Sequence, residues 1–241
     1  IYYEKFIVEN EKGSIVISHG FTECLEKFTE LIYYFTEMGY PVYGLEHRGH
    51  GRSSNLNLKE KSQIHIDSFD YYIEDLKIFM DEIVQKKGNS VFLFAHSMGG
   101  AIGTLFLEKY QEYFEKAVLS SPMMEINTGS YSENMAYLIS KFFIAIGKGK
   151  NYIFGQGPFN GEYNLEESAT SNKYRYSRHL NVLRENEVLQ RSGGSFRWIN
   201  EAIKATRKLK KEENIKKIQI PILLFQSGKD TFVNDEGHNT F

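Results

Sequence analysis

Short apolar runs alternate with longer stretches whose apolar residues recur every three or four positions. The runs are Ser14–Ser18 (SIVIS), Pro41–Leu45 (PVYGL), Val91–Ala95 (VFLFA), Ala117–Ser120 (AVLS) and Ile220–Gln226 (IPILLFQ). Each is short, rich in β-branched or aromatic residues and without a polar alternation, which predicts strands buried on both faces. Between them, Cys24–Met38 spaces Leu25, Phe28, Leu31, Ile32 and Phe35 along one helix face, and Gly39 supplies a stop. A Gly-containing polar loop, His47–Asn57, leads to a helix over Ser68–Gln85 with Tyr72, Leu76, Phe79, Met80 and Ile83 on one side. Strands alternating with helices predict a mainly parallel sheet with helices on both faces.

The pattern breaks between Pro122 and Gly194, where Gly, Asn, Tyr and Phe mix and helices are expected only around Asn134–Ile146 and Asn181–Gln190. A helix over Phe196–Leu209 precedes the last strand. The expected organisation is therefore a core over residues 1–121, an inserted and largely helical cap over 122–195, and a second part of the core over 196–241. No internal repeat or low-complexity linker interrupts it.

Composition narrows the function classes. The 241 residues carry 29 Lys and Arg against 31 Asp and Glu, a formal charge of −2, so no global field draws the chain toward nucleic acid. One cysteine, Cys24, can form neither an internal disulfide nor a thiolate metal cluster. That usage fits a reducing compartment, and a cytoplasmic location, peripheral to the membrane, is the expectation. No apolar run reaches the roughly 18 residues of a membrane span, and the mean hydropathy is −0.43.

The chemistry concentrates at Phe92–Gly103, FLFAHSMGGAIG, where Ser97 stands between a hydrophobic strand and a glycine-rich helix start. Such a turn holds a serine in a strained conformation above a sheet and needs small residues two before and two after it. Ala95 and Gly99 supply them, Ala95 standing where glycine is usual. A carbonyl attacked by Ser97 would become an oxyanion, which requires fixed N–H donors. Met98, the next residue and at a helix N-terminus, offers one. The loop after the first strand, His19-Gly20-Phe21-Thr22-Glu23, offers the Phe21 N–H as the second. Asp230, just past the last strand in Ser227-Gly228-Lys229-Asp230, sits where open α/β sheets place functional groups, with Asp235 as its nearest competitor.

Taken in order, SHG-F-x-E, GLEHRGHGRS, AHSMGG and LLFQSGKD resemble the α/β-hydrolase family of bacterial lysophospholipases and monoacylglycerol lipases, from about Lys12 to Phe241. The cap segments Asn164–Tyr176 and Gly193–Trp198 resemble the lysophospholipase branch. Glu46 departs from the family pattern, which has Asp at that position. The resemblance implies an α/β-hydrolase fold, a Ser97 nucleophile, Asp230 as the acid, no cofactor or metal, and a lipid ester as the partner. It also implies a general-base histidine after the acid. His238 is the one histidine after Asp230 in the chain. In the family, however, the base lies one helix and strand further on, so the expected position is beyond Phe241. The chain begins at Ile1 rather than Met, and either end is expected to continue.

Many large apolar and aromatic residues, among them Met123, Met124, Tyr131, Met135, Tyr137, Phe142, Phe143, Tyr152, Phe154 and Phe159, suit a cap shielding an acyl chain, whose methylenes each contribute about 0.8 kcal/mol on burial. Arg175 and Arg178, with Lys173, are candidates to receive a phosphate head group. Lys204–Lys217, interrupted by Glu212 and Glu213, is a candidate for transient contact with a membrane surface. The alternatives are a non-catalytic binding or interaction protein on the same fold and a hydrolase of other small acyl esters.

Overall fold

The computed structural model describes residues 1–53, 58–84 and 88–241. Its sheet contains β1 (Tyr2–Phe6), β2 (Ser14–Ser18), β3 (Val42–Glu46), β4 (Val91–His96), β5 (Lys116–Ser120) and β6 (Ile222–Phe225) in the order β1-β3-β2-β4-β5-β6. β1 runs antiparallel to β3, and every other neighbouring pair is parallel.

The helices are α1 (Thr29–Glu37), α2 (Asp70–Phe79), α3 (Met98–Tyr110), α4 (Glu133–Ala145), α5 (Lys173–Glu185), α6 (Phe196–Leu209), α7 (Glu212–Ile215) and α8 (Asp235–Thr240). The period-two geometry of β2 divides the core. Val16 joins Leu45, Leu93 and Leu119 beneath α2, α3 and α6, while Ile15 and Ile17 face the opposite side with Phe28 and Ile32. Each fully buried aliphatic side chain of this kind contributes about 1.5–3 kcal/mol. Helices thus cover both faces of the sheet, and the strand ends between them are free to carry loops.

Strand β1 was not expected. Its alternation of half-buried Tyr2, Glu4 and Phe6 with exposed Tyr3 and Lys5 carries too little hydrophobic signal, and it is held by pairing with β3 at the sheet edge. The helix expected over 181–190 instead spans Lys173–Glu185. It starts where the Asn172 side chain accepts the Tyr174 and Arg175 N–H groups, an N-cap in a segment whose polarity hid the helical period. The stretch expected as one helix from Cys24 opens with a 3₁₀ turn, Leu25–Phe28, and α2 ends in a π-helical turn, Met80–Val84. Gln85, the expected end of that helix, and residues 54–57 of the His47–Asn57 loop lie outside the described residues. No described helix is long and apolar enough to cross a membrane.

Candidate active site

Ser97 occupies the turn between β4 and α3 with φ +51° and ψ −119°. A β-carbon at that φ costs about 1–3 kcal/mol and survives only where the surroundings determine it. Here the Ser97 N–H donates to the Ser120 carbonyl at 3.0 Å, and its own carbonyl accepts from Gly100 at 2.8 Å and from Met123 at 2.8 Å. The next turn requires a missing side chain. Any β-carbon on Gly99 would lie inside the van der Waals radii of the Ser18 and His19 carbonyl oxygens. Ala95 is fully buried and lies against Gly103, where an added β-carbon would meet the Leu93 side chain at 2.8 Å.

The loop after β2 is shaped by a network of neutral imidazoles. His19 Nδ1 lies 2.8 Å from the Gly20 carbonyl, which can only accept, so Nδ1 carries the proton. His19 Nε2 then accepts the His47 N–H at 3.0 Å. The Ser18 hydroxyl donates to the Gly99 carbonyl at 3.2 Å, so the 2.9 Å contact with His47 Nε2 is a bond donated by the imidazole. Burial pushes His19 down to about 4 and holds His47 and His50 well below the ordinary imidazole value.

Glu23 completes the loop. Its buried carboxylate accepts the Gly20 N–H at 2.6 Å, contacts His96 Nδ1 at 3.1 Å and accepts from Lys27. Burial alone would raise this carboxyl, but the His96 and Lys27 charges and hydrogen bonds outweigh it and hold the group well below the usual carboxylate range. The Gly20 carbonyl also accepts the Glu23 N–H at 3.3 Å. A trans peptide points its N–H away from its C=O, so fixing the Gly20 carbonyl fixes the direction of the Phe21 N–H. The Phe21 ring is held in turn against Trp198 of α6, ring centres 4.0 Å apart. Neither the Phe21 nor the Met98 N–H has an acceptor among the described residues.

Asp230 follows β6, where its Oδ1 accepts the Phe232 N–H at 2.8 Å and the Val233 N–H at 3.1 Å. Its loop is tied down by bonds from Asn127 N–H to the Phe232 carbonyl and from Asn234 N–H to the Glu125 carbonyl, both 2.9 Å. Phe21, Ser97, Arg175, Arg178 and Asp230 line one cavity of about 1860 Å³. Arg175, however, spends its guanidinium edge on Glu30 of α1 in two 2.7 Å bonds, whereas Arg178 on the same wall has no carboxylate partner among the described residues. His238 lies apart from this lining, buried, with Nε2 2.6 Å from the Pro122 carbonyl. Glu46 accepts the Leu25 and Arg52 N–H groups and the Arg52 guanidinium, so it braces the loop that begins at His47.

Sequence reasoning did not single out the Glu23–His96 pair. Glu23 lies within the SHG-F-x-E motif and four residues before Lys27, and that spacing is the signal from which its ion pair could have been read.

A serine on a strained strand-to-helix turn over a mainly parallel sheet, with Phe21 and Asp230 lining the same cavity, is the arrangement of the α/β-hydrolase class. The comparisons agree. Residues 9–241 match the hydrolase family described as serine aminopeptidase, S33, and the chain belongs to that family. It is 32% identical over 223 residues to the probable lysophospholipase L2 of Haemophilus influenzae, covering 92% of this chain and 69% of that one. Lysophospholipase L2 of Escherichia coli strain K12 is 28% identical over 243 residues, covering 100% and 70%. A soluble variant of monoglyceride lipase from Saccharomyces cerevisiae superposes with a TM-score of 0.74 at 20% identity, covering 99% of this chain and 77% of that one, a likeness of fold.

Proposed function

We propose that this chain is a serine hydrolase of lipid carboxylic esters, acting on lysophospholipids or monoacylglycerols through an acyl-enzyme on Ser97. The observation that carries the reading is the strained Ser97 turn on the cavity wall, with the neighbouring Met98 N–H and the Phe21 N–H free of acceptors among the described residues. Residues 122–195 serve as the cap, and the likeness to lysophospholipases and monoglyceride lipases supplies the substrate class. The Ser97 hydroxyl attacks the ester carbonyl while a histidine takes its proton, the Phe21 and Met98 amides receive the negative charge, and Asp230 orients the histidine. The same histidine returns the proton to the leaving alcohol, and water then releases the fatty acid.

The base is the part this reading supplies from chemistry. No histidine bonds to the Ser97 hydroxyl among the described residues. His238 is engaged with Pro122, His65 with Ser195, and His19, His47 and His50 are buried in the loop network. The proposed base follows Asp230 beyond Phe241. Arg178 is the residue proposed to meet a phosphate head group, with Arg175 reaching it once released from Glu30. Contact with a membrane surface belongs to the same reading.

The test is hydrolysis of lysophosphatidylcholine and of monooleoylglycerol by the complete gene product, with the fatty acid measured directly. Activity on either substrate, abolished in Ser97→Ala, is expected. A correctly folded protein inert toward both would favour the non-catalytic alternative.

A further inference from the structure

Among the described residues the buried carboxylates and cations are Glu23, Glu46, Asp75 and Arg191. Glu23 pairs with Lys27, Glu46 with Arg52, and Asp75 with Arg48. Arg191, 6% exposed, has no acidic partner among the described residues. Its Nε donates to the Gly49 carbonyl at 2.8 Å, and its two Nη atoms donate to the Gly51 carbonyl at 2.6 Å and the Gln190 carbonyl at 2.7 Å. These bonds use three of the five N–H donors of a group that stays protonated, and they leave its charge without a counter-charge. A buried charge in that position is costly, and such costs gather at functional sites.

The surroundings point to the oxyanion loop. Gly49 and Gly51 have φ +78° and +48°, and a β-carbon on Gly51 would overlap the Glu46 carboxylate, so the two gathered carbonyls belong to a closely determined turn. Between them the His50 ring packs edge-on against His19 and Phe21, with centres 5.2 Å and 6.1 Å apart. The chain just after Arg191 also meets Phe21. It is tied down where Ser192 N–H donates to the Ser62 carbonyl at 2.8 Å and Ile64 N–H to the Gly193 carbonyl at 3.0 Å. A β-carbon on Gly194 would lie 3.0 Å from the Trp198 ring and 3.2 Å from the Phe21 ring. Arg191 lines the same cavity as Ser97 and Phe21. A neutral ester gives this cation no counter-charge, whereas the tetrahedral intermediate carries a negative oxygen. A fixed positive charge therefore lowers the transition state more than the ground state.

We infer that Arg191 is a positioning residue for acyl transfer, clamping the His47–Gly51 loop behind Phe21 and holding a buried positive charge whose field favours the oxyanion. The inference rests on the ester-hydrolase reading and deepens it.

The experiment compares the complete gene product with its Arg191→Gln, Arg191→Met and Arg191→Lys variants on monooleoylglycerol, whose head group is uncharged, and on lysophosphatidylcholine. Affinity for an alkyl trifluoromethyl ketone is measured alongside. The ketone carbon bonds to the Ser97 oxygen, the serine proton passes to the base, and the ketone oxygen takes up the negative charge. The two neutral variants should lower kcat on monooleoylglycerol about ten- to a hundredfold, weaken the ketone by the same factor and leave KM within about twofold. The lysine variant, which keeps the charge without the planar fork, should lie within about fivefold of the parent in both. Circular dichroism checks folding, and the methionine variant stands in should the glutamine variant not fold. A purely structural role would move KM and Tm in all three variants without the ketone affinity tracking kcat. The inference is overturned by that pattern, by neutral variants that keep the parent kcat, or by a lysine variant that loses as much as the neutral ones. It is also overturned if KM for lysophosphatidylcholine alone changes, which would make Arg191 a head-group residue. A parent inert toward both esters fails the hydrolase reading and the inference together, whereas an active parent with unaffected variants fails the inference alone.

Discussion

Acidification should unfold this protein through histidines that the fold keeps neutral. In the unfolded chain His19 takes up a proton near the ordinary value of 6.5, whereas burial lowers it to about 4 in the fold. The folded-state value lies below the unfolded one, so the unfolded state binds more protons in that window. Stability is therefore full above about pH 6.5 and falls as the pH drops toward 4. At 1.36 kcal/mol per unit, the difference amounts to about 3 kcal/mol in full and about 2.5 kcal/mol by pH 4.5. His47 and His50 are shifted in the same direction and add to the slope. Glu23, held low by His96 and Lys27, loses its contribution only in the more acidic carboxylate range. A loss of that size is a large part of the stability of an ordinary domain. Urea denaturation followed by the fluorescence of Trp198, the single tryptophan, reads the change beside the network itself. The midpoint should fall steadily from pH 7 to 4.5, and in His19→Asn the difference between those two pH values should shrink by about 2.5 kcal/mol. Equal pH dependence in parent and variant would refute the neutral-imidazole account of the loop.

Three further outcomes follow from the same geometry. Glu23→Ala removes the acceptor of the Gly20 N–H and should lower kcat about ten- to a hundredfold with little change in KM, because a misdirected Phe21 amide is missed in the transition state. An unchanged kcat would separate Glu23 from the oxyanion loop. Gly99→Ala forces a methyl into the Ser18 and His19 carbonyls and should destabilise the protein by about 3 kcal/mol or more, read as a drop in Tm. Glu30→Gln breaks the solvent-exposed bridge to Arg175 and should leave the denaturation midpoint unchanged, while loosening the cap enough to alter KM for a phosphate-bearing substrate.

The strands and the strained Ser97 turn were legible because their signals are local. A buried parallel strand is a short apolar run, and the Ser97 turn needs glycine two residues on, at Gly99, where the Ser18 and His19 carbonyls at the end of β2 crowd in. Helix α5 and strand β1 were less legible. The first is set by an Asn172 cap in a polar segment, and the second by pairing with β3 rather than by its own pattern. The site divides in the same way. Ser97, Phe21, Met98 and Asp230 stand at strand ends that the sequence marks. The contacts that orient them join residues far apart in the chain: Glu23 to His96, His19 to His47, and Asn127 to Phe232. Arg175 shows the converse. Its charge suggested a head-group site, but its partner Glu30 is 145 positions away, and no local pattern announces that pair.

The central claim is that Ser97 is the nucleophile, and covalent labelling tests it most directly. The complete gene product, treated with a fluorophosphonate and analysed by intact mass and peptide mapping, should gain one phosphonyl group on the peptide containing Ser97. The Ser97→Ala variant, folded by circular dichroism, should gain none. An adduct on another residue, or equal labelling of parent and variant, would contradict the account.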